Sequence, residues 1–300
     1  MWVNNRIIQE DLDYISTCSF ISWDKLKNKT IFITGTTGII GQNIVNSLLY
    51  ASNRLNLNIK VIGLVRDLDK AKELFLAQLR DVKGLEFVKG DVRTFNYPSC
   101  SIDYIIHGAS ITSSKKMVED PNEVIDVSVE GTNHIINLAR EKKVKTLLYL
   151  SSMEVYGQSE KGKLISENDT WTFDKSNPRD SYPLSKQICE NNCLEYSKEN
   201  ISLVKINRLA QTIGPGLSEN DEKIFSYFAR CLLNKEEIVL RTKGESERCY
   251  NYTIDTVAGI ITTLLDESKE NIYNVANNNT YSSIKDVANI IAKDKRSKKD

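Results

Sequence analysis

The chain of 300 residues and 34.1 kDa is long enough for one large domain or two modest ones, at roughly 150 residues per domain. Hydrophobic residues at 40% and charged residues at 27% match folded globular proteins and exclude disordered, collagen-like and fibrous classes. With 40 cationic and 40 anionic side chains there is no net field to favour nucleic acid or an anionic membrane, so any bound anion must be held by local groups. No apolar run approaches the ~20 residues a membrane-spanning helix needs. The start Met1-Trp2-Val3-Asn4 leads into Glu10, Asp11 and Asp13 rather than a secretory leader. A cytoplasmic location, with no nucleic-acid or membrane partner, is the expectation. The six cysteines, Cys18, Cys100, Cys189, Cys193, Cys231 and Cys249, form no C-x-x-C pair and read as small apolar side chains. Cys189 and Cys193 could share a helix face, but His107 and His134 are the only histidines, so no metal is expected.

In chain order, the residues before about Lys29 read as a helix and connector. Short β-rich apolar runs then follow at Thr30–Thr34, Lys60–Val65, Leu85–Lys89, Tyr104–His107, Thr146–Ser151 and Leu203–Ile206. Between them, Ile39–Tyr50, Asp69–Leu79, Pro121–Lys142 and Pro183–Glu199 carry apolar residues at helical spacing. Strands alternating with helices predict an α/β fold with a doubly wound parallel sheet of the Rossmann type. Ile238-Val239-Leu240 reads as a further short strand, and the Lys/Asp-rich end after Ile291 as a solvated tail.

The first strand runs into Thr34-Gly35-Thr36-Thr37-Gly38-Ile39-Ile40-Gly41 and at once into a helix. Glycines there suit a tight turn, close approach of backbone to a pyrophosphate, and close helix-on-strand packing, with the helix N-terminus facing the phosphates. At the end of the second strand, Arg66 and Asp67 offer both a partner for a 2′-phosphate and a partner for a ribose hydroxyl. Arg66 is the better placed of the two by sequence and favours NADP, whereas the relatives that this chain resembles imply a retained NAD, which is the reading adopted. Farther on, Tyr182 and Lys186 stand four apart on one helix face. A neighbouring ammonium favours the phenolate and would lower the Tyr182 pKa toward that of a working base.

Taken together, these segments resemble the extended short-chain dehydrogenase/reductases, specifically the NAD-dependent nucleotide-sugar epimerase/dehydratase family. Further matches come in the family's order: Asp91-Val92 after the third strand, His107-Gly108-Ala109-Ser110 after the fourth, Gly131-Thr132, Ser151-Ser152-Met153-Glu154, Tyr182-Pro183-Leu184-Ser185-Lys186, Arg208 to Gly216, Gly244 to Asp255, and Tyr273-Asn274-Val275-Ala276. The resemblance covers roughly residues 28–291. It implies that Gly35, Thr37, Gly38, Ile39, Ile40, Gly41, Arg66, Asp91, Val92, His107, Ala109, Tyr182 and Lys186 line the cofactor. It implies that Ser110, Ser152, Met153, Gln211 and Arg248 meet a nucleotide-diphosphate sugar, and that Ser152, Glu154, Tyr182 and Lys186 carry the chemistry. Tyr182 would take the proton of the sugar's 4-hydroxyl while hydride leaves C4 for the nicotinamide. Lys186 would hold the nicotinamide ribose.

The resemblance also implies a layout: an extension over 1–27, a dinucleotide-binding domain over 28–206, and a mainly sugar-nucleotide-binding region over 207–300, with a helix near 255–267 returning to the first domain. It implies a homodimer through the helices around Val124–Arg140 and Pro183–Tyr196. Several positions depart from the family pattern: Ser128 stands for an Asn, Gln211 for an Asn, Ile213 for a Tyr, and Met153 for the Asp of hexose dehydratases. A thioether cannot donate a proton, so elimination of water is disfavoured. The favoured expectation is an NAD-dependent nucleotide-sugar epimerase. The alternatives are a uronate decarboxylase or dehydratase using Glu154, an NADPH-dependent 4-ketoreductase, and a non-catalytic dinucleotide-binding protein, which would be expected to lack Tyr182 or Lys186.

Overall fold

The computed structural model describes residues 5–81, 83–157, 162–169, 173, 177–216 and 223–293. The first part of the chain forms α1 (Arg6–Thr17), a 3₁₀ turn (Trp23–Leu26), β1 (Thr30–Thr34), α2 (Ile39–Arg54), β2 (Lys60–Val65), α3 (Leu68–Leu74), α4 (Leu76–Asp81), β3 (Leu85–Lys89), β4 (Tyr104–His107), α5 (Ser114–Glu119), α6 (Pro121–Lys142) and β5 (Thr146–Ser152). Two 3₁₀ turns, Met153–Tyr156 and Pro178–Asp180, precede α7 (Ser181–Ser197) and β6 (Leu203–Leu209). The remainder comprises β7 (Gln211–Ile213), α8 (Ile224–Asn234), β8 (Glu247–Arg248), β9 (Tyr250–Tyr252), α9 (Thr253–Leu264), β10 (Ile272–Val275), β11 (Ser282–Ser283) and α10 (Ile284–Ala292).

Seven strands build one sheet in the order β10-β6-β5-β4-β1-β2-β3, every neighbour parallel. The fold is a Rossmann-like α/β sandwich. Its central strands are apolar along their length because helices cover both faces. Side chains alternate: Ile31 and Ile33 pack toward Ile44 and Leu48 of α2 and Val257 and Ile261 of α9. Phe32, Leu147 and Tyr149 pack toward Ile135 and Leu138 of α6 and Cys189 and Cys193 of α7. The strand order reverses between β1 and β4, and the crevice at their C-terminal ends is where such sheets bind ligands.

The N-terminal extension belongs to this core. Asn5 caps α1 by accepting from the N–H groups of Ile7 and Ile8. Ile15, Trp23 and Leu26 are buried in the same cluster as α2 and α9, and the Trp23 indole donates to the Ile15 carbonyl at 3.3 Å. Polar bonds fasten the outside: Gln9 donates to the Tyr50 hydroxyl, and Tyr252 donates to Asp11 at 2.8 Å.

The structure corrects the sequence reading in two places. The expected helix Asp69–Leu79 is two short helices, α3 and α4, parted at Phe75. Phe75 leaves helical geometry with its ring buried in the core beside Phe87, and burial of that ring outweighs one continuous helix. Ile238-Val239-Leu240 is not a strand. Its Val239 N–H donates to the Tyr227 hydroxyl instead of a ladder partner, while Ile238 and Leu240 pack against the Phe225, Phe228, Tyr250 and Ala288 cluster. That cluster joins α8 and α10 over two small sheets, β7–β9 and β8–β11. Of the expected tail, residues 294–300 lie outside the described residues.

Leu26 is fully buried although it precedes the first strand. Leu26→Ala should therefore cost about 2–5 kcal/mol in a urea titration. A loss below about 0.5 kcal/mol, the size of an ordinary surface change, would show that the extension is an appendage rather than core.

Candidate functional site

At the end of β1 the backbone is crowded. Gly35 has φ +74, and a Cβ there would sit 2.7 Å from the carbonyl carbon of Gly108. A Cβ on Gly41 would lie 2.2 Å from the Gly35 carbonyl oxygen, so α2 can pass this close to β1 only with glycine. Gly38 caps α2 without a side-chain bond, leaving its first-turn N–H groups to something other than a capping side chain. Thr37, Ile39 and Ile40 border this turn, half-buried. A cradle that a methyl group would fill, opening on a helix N-terminus, fits a dinucleotide pyrophosphate.

The β1–β4 seam is fixed by Thr34, which sequence reasoning missed. Its hydroxyl accepts from the N–H groups of Gly108 and Ala109 at 3.1 and 3.0 Å and lies 2.7 Å from His107 Nδ1. With both amides donating to it, the hydroxyl must donate its own proton to Nδ1, which leaves the proton of His107 on Nε2, facing Thr132 Oγ1 at 3.1 Å. Burial first, then the charge of Lys186, lowers the His107 pKa to about 3, so the ring is neutral. His107, expected to line the cofactor, therefore has both ring nitrogens spent as a brace between β1, β4 and α6.

On the side expected to meet the adenine, the groups are also paired within the protein. Asp91 is gripped by Arg93 through Nε and Nη2, both at 2.9 Å, and this hydrogen bonding lowers its pKa. Arg93 also reaches Glu123 of α6 at 3.1 Å. Val92 is buried against Gly131, where a Cβ would come within 2.7 Å of it. Arg66 is exposed at the end of β2 and within electrostatic reach of Asp91. Asp67 spends one carboxylate oxygen capping α3.

The four residues expected to carry chemistry come together where β5 ends and α7 begins. Ser152 caps the 3₁₀ turn, accepting from the Glu154 N–H at 3.2 Å. Tyr182 sits in the first turn of α7 beside it, buried against Met117 and Val124. Burial above all, and then the charge of Glu154, push the Tyr182 phenol above its ordinary range, while the Ser152 hydroxyl and Arg179 pull it down. The expectation that Lys186 would lower this phenol is overturned. Lys186 Nζ lies 5.8 Å from the Tyr182 ring centre and donates instead to the Leu150 carbonyl at 2.8 Å. Burial lowers the Lys186 pKa to about 8, against an opposing pull from Glu190.

Two ion pairs that the sequence reading did not single out frame this group. Arg179, one turn before Tyr182, holds Glu154 in a fork, Nη1 to Oε2 at 2.7 Å and Nη2 to Oε1 at 3.2 Å. The signal was available, since an Arg three residues ahead of the Tyr falls on the same side of a helical turn. Beneath, Arg208 pairs with Glu190 through Nη2 at 2.7 Å, and Ser151 donates to Glu190 at 2.5 Å. The expected substrate residues are more dispersed. Met153 is half-buried in the 3₁₀ turn. The Ser110 and Ser128 hydroxyls are 3.5 Å apart. Gln211 starts β7 opposite Tyr250, two residues after Arg248, which donates to Ser246 at 3.0 Å. Asn43 of α2 donates to the Pro215 carbonyl at 2.9 Å and ties the segment after β7 to the glycine turn.

The depressed Lys186 predicts a pH effect. Its folded value, about 8, lies below its ordinary 10.5, so the unfolded chain binds the proton more tightly and stability rises with pH between the two. Lys186→Met removes that titration. The stability of the unaltered chain relative to this variant should increase by on the order of 1–3 kcal/mol from about pH 7.5 to 10 in denaturant titrations. A pH-independent difference would refute the burial.

Comparison with known proteins follows this geometry. The family model described as the NAD dependent epimerase/dehydratase family matches residues 31–276. UDP-glucuronic acid decarboxylase 1 of Xenopus tropicalis is 25% identical over 262 residues, 85% of this chain and 58% of that protein. dTDP-D-glucose 4,6-dehydratase of Dictyostelium discoideum is 27% identical over 267 residues, 84% of this chain and 59% of that protein. The chain thus spans somewhat under two thirds of these relatives. Among solved structures, UDP-N-acetylglucosamine 4-epimerase of Methanobrevibacter ruminantium M1, in complex with UDP-N-acetylmuramic acid, shares the fold. Its TM-score is 0.75 at 21% identity, with 89% of this chain and 82% of that chain covered. With the family model covering most of its length and the glycine turn, Tyr182 and Lys186 in place, the chain belongs to the NAD-dependent epimerase/dehydratase family.

Proposed function

We propose that the chain is a nucleotide-sugar epimerase that oxidises C4 of the sugar transiently and restores it with the opposite configuration, using one NAD that stays bound. The observation that carries this reading is the meeting of Ser152, Tyr182 and Lys186 at the end of β5 while Glu154 is locked in an ion pair. NAD supplies the acceptor, and later the donor, of the C4 hydride. Tyr182 takes the proton of the 4-hydroxyl and gives it back, and Ser152 shares a hydrogen bond with that same hydroxyl. Lys186 holds the nicotinamide ribose from its buried post at Leu150. The turn Gly35, Thr37, Gly38, Ile39, Ile40 and Gly41 holds the pyrophosphate, Arg66 and Asp91 flank the adenosine, and Ala109 borders the nicotinamide side. Ser110, Met153, Gln211 and Arg248 contact the sugar nucleotide, the Arg fork suiting its diphosphate. A homodimer through α6 and α7 is part of the same proposal.

Dehydration is the weaker outcome for this site. It needs an acid at position 153, where methionine has no proton to give, and a base at Glu154, whose two oxygens already accept from Arg179. Decarboxylation of a nucleotide-linked uronate is the second reading, favoured by the decarboxylase among the relatives. A 4-keto uronate is a β-keto acid, so carbon dioxide leaves without a protein base.

Incubation with UDP-, dTDP-, CDP- and GDP-linked sugars and uronates, without added cofactor, should give an isomer of unchanged mass by mass spectrometry and proton NMR. Loss of carbon dioxide or water would replace the epimerase reading, and a requirement for NADPH would favour a ketoreductase. Tyr182→Phe removes one hydroxyl and should lower kcat by about 10³-fold or more, as for loss of a general base working with an oriented substrate, with the fold intact by circular dichroism. Glu154→Gln should leave epimerisation within about tenfold, a change of roughly 1.4 kcal/mol in the barrier, whereas a larger loss would indicate proton removal at C5.

A further inference from the structure

We propose that Arg179 is a specificity-determining residue that receives a carboxylate on the sugar, so that the substrate class is nucleotide-linked uronates rather than neutral hexoses. The inference rests on the reading of Tyr182 as the group facing the sugar and deepens it. Three observations carry it. First, position: Arg179 lies in the 3₁₀ turn Pro178–Asp180 that leads into α7, close enough to Tyr182 for their charges to interact. Second, geometry: Glu154 takes only one edge of the guanidinium, the edge between Nη1 and Nη2. A guanidinium has a second edge of the same fork shape, formed by Nε and one Nη, and that edge matches a second carboxylate.

Third, access: the Arg179 side chain keeps 38% of its surface exposed, so it is not sealed off from an incoming anion, and Glu154 bonds Nη1 and Nη2 but not Nε. Glu154 then serves to orient the guanidinium, a positioning residue rather than a competitor. A neutral hydroxymethyl group at the same place could accept one hydrogen bond and would lack both the second bond and the attraction of opposite full charges. A fork against a carboxylate gains both, and charge-assisted bonds are about twice as strong as neutral ones.

The test is binding to the NAD-loaded protein in a Tyr182→Phe background, where no turnover blurs the equilibrium. Titration calorimetry compares UDP-glucuronate with UDP-glucose, and dTDP-glucuronate with dTDP-glucose. The expected result is at least tenfold tighter binding of the uronate in one nucleotide pair or both. Arg179→Gln should abolish that preference while changing the affinity for the neutral sugar less than threefold, and Arg179→Lys should restore only part of it. Equal binding of uronate and hexose, equal weakening of both by Arg179→Gln, or no measurable binding of any uronate would each overturn the proposal. Failure of the underlying reading looks different: Tyr182→Phe would leave turnover of sugar nucleotides intact, whichever sugar binds.

Discussion

The seam between β1 and β4 is the constraint on which the rest of the molecule depends. The two strands pair in parallel up to Thr34 and His107, and the segments that follow them diverge to opposite halves of the sheet. One hydroxyl, that of Thr34, holds the seam by engaging two backbone amides and a neutral imidazole at once. Gly35 and Gly108 meet where no side chain fits, and Gly41 brings α2 down onto the same turn. The dinucleotide cradle and the anchorage of the α6 face through Thr132 share this one small assembly. A change at Thr34 would be felt in both.

Polar groups buried around β5 show a second regularity. Lys186, Glu190, Arg208 and Ser151 are carried by α7, β6 and β5, and each has a partner inside the protein. A charge kept from water must be paired, and the pairs here stand directly below the candidate reacting groups. Stability given up at Lys186 is the kind of cost that sites tolerate when a charge must wait in a dry place for its ligand.

Much of this was legible in the sequence. The strand runs at Thr30–Thr34, Lys60–Val65, Leu85–Lys89 and Tyr104–His107 are short, apolar and bounded by turn residues, so their identity did not depend on distant contacts. The glycine turn and the Tyr182–Lys186 spacing carried the family only together with the other motifs in their order along the chain. What could not be read were effects of burial and of pairs distant in sequence. Phe75 interrupts a helix because its ring finds a core that local periodicity does not describe. His107 and Asp91 keep the right positions but are occupied by Thr34 and Arg93, which a motif does not record. Lys186 follows Tyr182 by one helical turn, yet a carbonyl 36 residues away claims its ammonium. The upward shift of Tyr182 comes from its burial and then from the charge of Glu154, neither of which the spacing records.

The N-terminal helix also fixes an order of events during synthesis. α1 leaves the ribosome early, but its contact with Tyr252 spans 241 residues, and the Lys25 bond to the Leu265 carbonyl spans 240. At about 5–20 residues per second, the last of its partners appears on the order of tens of seconds later. Through that interval Ile15, Trp23 and Leu26 lack α9, one wall of the cluster that finally buries them. The apolar residues of this segment thus wait for as long as α9 takes to arrive, and completion of that cluster waits with them.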